Sequence, residues 1–402
     1  MQSYDRGSVS RRPLRTVLAV GAALAALVLA LRSAVGAGVP YINDFVAYWA
    51  TGRLLLEGGN PYDAGALLEL QRAVGSRFVD AGVVRNPPWV LPFLLPFAAL
   101  PFAAGWYVWA ICQILLVGVS AVLLWKLFGG RARPTKAILL TFLFPPALFV
   151  ALGGQIGGLL LLGLAGFTWA VEQRRDFLAG LFLGLLTLKP HLLLPFGVVV
   201  LLWTFRERRF APLLGAATVV AASCVLALLL QPDLFDYYAA FARAEIPEED
   251  VVSTPGAALR LLFGFDRFWI QWLPAVIGIG WGVRRFHLWR DKWLWSEQLP
   301  LLAAVSWLSA PYGWVYDMVL LVPTVLDAAV HLERFANPGL SRRALTLFLL
   351  LGIVVWTQQL LAGSGVVHVW VGFAVLLFWM GIHRATEETS AVAGFEIESP
   401  GA

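Results

Sequence analysis

Tyr41–Asp63, YINDFVAYWATGRLLLEGGNPYD, follows directly on the first long apolar run of the chain and decides how the rest is read. It sets a carboxylate, Asp44, just beyond a membrane-length segment, then continues as an aromatic, Arg-containing amphipathic stretch closed by Asn60-Pro61-Tyr62-Asp63. Nothing in the immediate sequence neutralises Asp44, and an ionisable group beside hydrocarbon is costly unless something pairs with it. Such an acid is a functional-site candidate. The plainer reading is a helix cap for 45–56, since Asp accepts well from the orphan amides of a first turn. On the residues alone the two readings stand level.

The surrounding composition is that of a membrane protein. Of 402 residues, 59% are hydrophobic and 14% charged, with a mean hydropathy of +0.75, against about 45–50% apolar in a soluble domain. The 18 Trp and 26 Phe suit a helical bundle anchored at both interfaces by aromatic rings. Cys112 and Cys224 fall inside apolar runs, which argues against a disulfide framework. No His/Cys pattern with metal spacing and no Ser-His-Asp arrangement is legible, so no metal or cofactor is expected. The net charge of +5 is read as a topology signal rather than a nucleic-acid footprint.

The expected fold is therefore an all-α polytopic bundle forming a single transmembrane domain over 1–384, with a cytoplasmic disordered tail at 385–402. Apolar runs place spans at about 16–38, 103–127, 136–152, 156–171, 177–189, 191–204, 211–230, 268–283, 298–310, 312–330, 344–361 and 367–383. That makes about 12 transmembrane helices. The first could serve as a signal peptide, but 32–38 is only a passable cleavage region and the Tyr41–Asp63 stretch begins almost at once after it, so a retained helix is the favoured reading. Ala64–Val79, with Glu69, Arg72 and Arg77 between apolar positions of helical spacing, reads as a helix lying on the membrane surface. Prolines 92, 96 and 101 make 88–101 a broken or re-entrant segment.

With the N-terminus inside, about 21 of the 30 Lys and Arg fall in cytoplasmic connections, as the positive-inside rule expects. The long loops 39–88 and 231–267 then lie on the periplasmic side. Gln155, Lys189, His191 and the 312–317 region share that side.

Each of these interruptions carries two readings. Lys189, in Lys189-Pro190-His191, either snorkels to the interface or meets an anion such as a phosphate. Gln155, within Gly153-Gly154-Gln155-Ile156-Gly157-Gly158, either supports a tight helix turn or offers its amide to a hydroxyl-rich ligand. That glycine run lacks the preceding strand and the Lys-Ser/Thr of a phosphate loop, so nucleotide binding is rejected. Ser309-Ala310-Pro311-Tyr312-Gly313-Trp314-Val315-Tyr316-Asp317 combines aromatic faces with an acid, as sugar sites do and interfacial belts also do. The 231–267 loop carries Arg260 and an acidic cluster, Glu248-Glu249-Asp250, that reads as solvated surface.

Five motifs in order carry a resemblance over roughly residues 40–325. They are N-D-F-x-x-Y-W-x-x-G-R-x-L-L-x-G-x-N-P-Y-D, N-P-P-W-V-L-P-F-L-L-P-F-A-A-L-P-F, G-G-Q-I-G-G-L-L-L-L, A-G-L-F-L-G-L-L-T-L-K-P-H-L-L-L-P and S-A-P-Y-G-W-V-Y-D. Together they resemble the bacterial polyprenyl-phosphate-sugar-dependent glycosyltransferases of family 87, whose members include α-mannosyltransferases. The resemblance implies a GT-C-type bundle in the bacterial inner membrane, with an amphipathic first periplasmic loop and a periplasmic active site. It implies a sugar donor carried on polyprenyl monophosphate and a glycolipid or glycan acceptor, and it involves no nucleic acid.

By that resemblance Asp44 is the base and Lys189, with His191, meets the donor phosphate. Gln155, Asn86, Tyr312, Trp314, Tyr316, Asp317 and Arg260 are then the expected substrate-binding residues. Tyr316 stands where a His is expected in mannosyltransferase-like members, which bears on the identity of the sugar. The rival outside enzymes is a lipid-sugar flippase or transporter, for which matching broken helices in two inverted halves are expected and not found.

Overall fold

The computed structural model describes residues 44–244, 251–363 and 365–397. The expected first span at 16–38, the start of the Tyr41–Asp63 stretch and the 248–250 acidic cluster lie outside the described residues. Among the described residues all regular structure is helical. The chain runs α1 (Phe45–Leu56), α2 (Ala64–Ala73), a 3-10 turn (Pro88–Phe93), α3 (Leu95–Ala98) and α4 (Phe102–Leu127). It continues through α5 (Pro134–Leu143), α6 (Pro145–Leu152), α7 (Gly157–Glu172), α8 (Asp176–Leu186), a 3-10 turn (Pro190–Leu193), α9 (Leu194–Glu207) and α10 (Ala211–Leu230). Then come α11 (Leu234–Ala244), α12 (Pro255–Phe263), α13 (Leu273–Trp289) and α14 (Trp295–Leu308). A 3-10 stretch (Val315–Leu321) leads into α15 (Val322–Phe335), followed by α16 (Pro338–Ala362) and α17 (Val369–Ile397).

Local chemistry sets several of these boundaries. Asp63 caps α2 by accepting from the Ala66 amide at 3.0 Å, and Asn337 caps α16 through the Leu340 amide at 2.8 Å. The surface helix expected over 64–79 stops at Ala73 because Gly75 takes a left-handed φ of +92° and turns the chain away. On its inner side Leu67 and Gln71 are fully buried, and Gln71 clasps Gly82 by donating to its carbonyl and accepting from its amide. The Pro-rich segment at 88–101 is indeed broken, into the Pro88–Phe93 turn and the four-residue α3. Prolines there remove ladder donors that an unbroken helix needs.

Among the described residues, five helices are long and apolar enough to cross a membrane, or up to seven spans if each bent pair counts as one. This is a multi-pass chain, and the expected twelve spans are not all matched by helices of that length among the described residues. Expected span 136–152 is α5 and α6, bent by 75° at Pro145-Pro146. The two expected spans at 177–189 and 191–204 are arms of one pair bent by 118° at Pro190. Helix α7, with 16 residues, is about 24 Å long, short of the roughly 30 Å of bilayer hydrocarbon. The last described helix continues to Ile397.

Helices α8 and α10 make the closest pairing, at glycines that let backbones touch. A Cβ on Gly180 would lie 2.2 Å from the Pro212 carbonyl oxygen, and one on Gly215 would lie 2.3 Å from that of Phe177. Helix α7 packs between α8 and α4, and the Val315–Leu321 stretch packs on α6 and α7. These contacts bring the ends of α6, α8 and α14 to one place beside the start of α1.

Candidate functional site

The backbone first anchors Asp44. Its amide donates to the Gly153 carbonyl at 3.0 Å, joining the start of α1 to the end of α6. The Gly153-Gly154 turn that makes this approach feasible has Gly154 at φ +71°. Asp44 sits at the cap position of α1 but makes no side-chain cap hydrogen bond; its carbonyl, not its carboxylate, serves the first turn. The carboxylate is left for other partners.

Those partners are the residues singled out along the chain. Gln155 Nε2 donates to Asp44 Oδ2. Its Oε1 accepts from Lys189 Nζ at 2.9 Å and from the Tyr48 hydroxyl at 3.3 Å. Lys189 Nζ also donates to Asp317 Oδ1 at 2.8 Å. The other Asp317 oxygen accepts from the Trp314 amide at 3.0 Å, which locks the start of the Val315–Leu321 stretch. Tyr316 acts electrostatically on the Asp44 carboxyl, favouring its charged form, and lays its ring 5.2 Å from Lys189 Nζ. Four elements distant in sequence thus meet in one hydrogen-bonded chain, Asp44–Gln155–Lys189–Asp317.

Its electrostatics follow from burial. Lys189, Gln155 and Asp317 are 8%, 3% and 1% exposed, so the ammonium survives away from water only because a carboxylate and an amide oxygen neutralise and solvate it. Asp44 lies outside the candidate spans. Burial holds its carboxyl above the usual carboxylate range, opposed by the Gln155 hydrogen bond and the Lys189 charge. Burial, then the Asp44 and Asp317 charges, push the Tyr48 phenol well above its ordinary value, so it remains a hydrogen-bond donor. A carboxylate with a raised proton affinity, one oxygen fixed by Gln155, is suited to accept a proton from a hydroxyl.

A more open rim surrounds this core. Asn86 Nδ2 donates to the Leu188 carbonyl at 2.9 Å, and Trp89 Nε1 donates to the Thr187 carbonyl at 3.1 Å. Together they fasten the Pro-rich segment to the turn that carries Lys189. His191 stacks edge-on against Tyr312 with centroids 6.0 Å apart, and Tyr312, Trp314 and Tyr316 follow as a row of rings at 6.3 and 6.5 Å. Arg85, exposed, reaches the Tyr312 hydroxyl at 3.4 Å.

Arg260 stands apart from this group. Its guanidinium is buried, donates to the Phe265 carbonyl at 2.6 Å and to Gln271 Oε1 at 3.1 Å, and lies over the Phe265 and Phe268 rings. Gln271 in turn donates to the Pro311 carbonyl at 2.7 Å. Arg260 therefore braces the loop behind Tyr312. Tyr48, Arg85 and Trp89 were not among the residues expected at the site. Tyr48 follows Asp44 by one helical turn, the spacing that puts both on one face, and Arg85 and Trp89 flank Asn86-Pro87-Pro88.

A family model described as glycosyltransferase family 87 matches residues 85–321. No curated protein and no solved structure matches the chain.

Proposed function

The chain belongs to glycosyltransferase family 87, and from that premise we propose that it moves a sugar, mannose first, from polyprenyl monophosphate to a glycolipid or glycan acceptor. It is a membrane glycosyltransferase, and its all-helical, multi-pass build is consistent with the GT-C superfamily. The reading assigns the active site to the periplasmic face of a bacterial inner membrane. The observation that carries the proposal is the Asp44–Gln155–Lys189–Asp317 chain beside the aromatic row.

In this reading Asp44 takes the proton of an acceptor hydroxyl as that oxygen bonds to the anomeric carbon. The bond from the anomeric carbon to the phosphate oxygen breaks, and the lipid phosphate leaves with the electron pair. A phosphate is already a stable anion, so the protein needs a base and cationic or donor groups, not a nucleotide pocket. Lys189 and Asp317 nearly cancel as a pair, so Lys189 alone offers the incoming anion little net charge. Arg85 and the Tyr312 hydroxyl at the rim supply the complement, with His191 beside them. Trp314 and Tyr316 offer ring faces to the sugar.

The test is transfer by the purified protein in proteoliposomes supplied with polyprenyl-phosphate-mannose and a lipid extract as acceptor. Radiolabel appearing in a new glycolipid supports the reading. Transfer from a nucleotide sugar but not from the lipid donor, or movement of the donor across the bilayer without transfer, refutes it.

A further inference from the structure

Asp327 and His331 stand one turn apart on α15, and His383 faces them from α17. One ligand atom from each of the three lies within 4.8 Å of the other two. His383 Nε2 is 3.2 Å from Asp327 Oδ2, and the His331 and His383 rings stack with centroids 3.8 Å apart. The glycosyl-transfer chemistry does not use them. About 20 Å of helix separates His331 from Asp317.

The surroundings fix the orientation of His383 and Asp327. His383 Nδ1 lies 3.0 Å from the Trp379 carbonyl oxygen, and Trp379 Nε1 donates to Asp327 Oδ2 at 2.6 Å. A carbonyl can only accept, so Nδ1 carries the proton and, in neutral imidazole, Nε2 presents a lone pair. That lone pair then faces a carboxylate oxygen. Two acceptors at such a distance need a cation between them, either a proton or a metal ion. A carbonyl holding the far nitrogen of an imidazole is also the usual outer support of a metal-bound histidine.

The charges around the set favour a cation. Glu387, the next turn of α17, acts electrostatically on both imidazoles, as does Asp327. Arg334 also faces His331, but its guanidinium is held by the Phe128 and Gly129 carbonyls at 2.8 and 2.6 Å. Two carboxylates thus stand against one tethered cation. The three candidate ligands are all only partly buried, so an ion has a route in.

We propose that Asp327, His331 and His383 bind one divalent transition-metal ion of the zinc(II) class, pinning α15 to α17 at the end of the bundle away from Asp44. Imidazole with carboxylate suits zinc and its neighbours rather than calcium or magnesium. Ligands on one ion at about 2.1 Å stand at most about 4.2 Å apart, so the set must draw in by a few tenths of an ångström. Side-chain rotation supplies that.

The test uses full-length protein purified on a histidine-free tag and stripped with chelator. Cobalt(II) is titrated in detergent while its visible absorption is followed, zinc(II) is added in competition, and melting temperature is read with and without zinc. One saturable equivalent is expected in the wild type and in Asp44→Asn. His331→Gln and His383→Gln should each bind roughly 100-fold more weakly and lose the zinc-induced rise in melting temperature, while melting as cooperatively as wild type without metal. If a Gln variant fails to melt cooperatively, His331→Asn and His383→Asn replace it. Wild-type binding and melting indistinguishable from the His variants would overturn the proposal and leave a proton between Asp327 and His383.

Discussion

Lys189 and Asp317, 128 residues apart, form a buried ion pair with Nζ 2.8 Å from Oδ1. Their side chains are 10% and 2% exposed, so neither charge has water to fall back on. Removing one partner of such a pair typically costs about 3–5 kcal/mol, because the other is left uncompensated. Lys189→Met is therefore expected to lower the melting temperature in detergent strongly, and Lys189→Met/Asp317→Leu to recover most of the loss while remaining inactive. Equal melting of the single and double variants would show that the pair is not coupled.

The raised proton affinity of Asp44 predicts an activity limb. Transfer should rise with pH through a single ionisation above the ordinary carboxylate value of 3.8, since only the ionised form accepts a proton. In Gln155→Leu the hydrogen bond that favours the charged form is gone, so the limb should move to higher pH and the plateau should fall about 10–100-fold. The stability effect has the opposite sign. A carboxyl whose folded value is raised stabilises fully below the unfolded value, and that contribution is lost as pH rises through the folded one. An unshifted limb in Gln155→Leu, measured as kcat against pH, would remove Gln155 from the control of Asp44.

The α8–α10 contact makes a packing prediction. Because a Cβ at Gly180 would meet the Pro212 carbonyl at 2.2 Å, and backbone cannot swing aside as a side chain can, Gly180→Val should destabilise by about 1–3 kcal/mol through overpacking. Thermal unfolding reads this directly. Gly197→Val serves as the comparison, since a Cβ there meets nothing within 4 Å.

The orientation drawn from the charge distribution predicts that the loop after α2 is outside. Val79 is 81% exposed. In a Cys112→Ser/Cys224→Ser background, Val79→Cys should react with a membrane-impermeant maleimide in spheroplasts without permeabilisation. Labelling only after lysis would invert the assigned topology.

Much of the candidate site was legible because polar residues interrupting apolar runs must be paired, and the structure pairs them with each other. Asp44, Gln155, Lys189 and Asp317 each stood out locally. What no local pattern could give was their order, with Gln155 between the acid and the Lys and Asp317 as the cation's partner, since these contacts span up to 128 residues. For Arg260, expected among the substrate-binding residues, no sequence pattern hinted at its bonds to the Phe265 carbonyl and Gln271 Oε1, which depend on the turn after α12. The span count was legible only in part, because Pro190 folds two adjacent apolar runs into one sharply bent pair and apolar helices such as Gly157–Glu172 are short for a crossing. His331 and His383 escaped notice because only the packing of α15 on α17 makes them neighbours.

The proposed mechanism turns on Asp44 as the base. The most direct measurement is transfer from polyprenyl-phosphate-mannose by the purified Asp44→Asn variant, whose near-isosteric amide can keep the Gln155 contact. A fall in kcat of about 10²–10⁴-fold is expected, with melting temperature and donor binding close to wild type. Full transfer by a correctly inserted Asp44→Asn protein would contradict it.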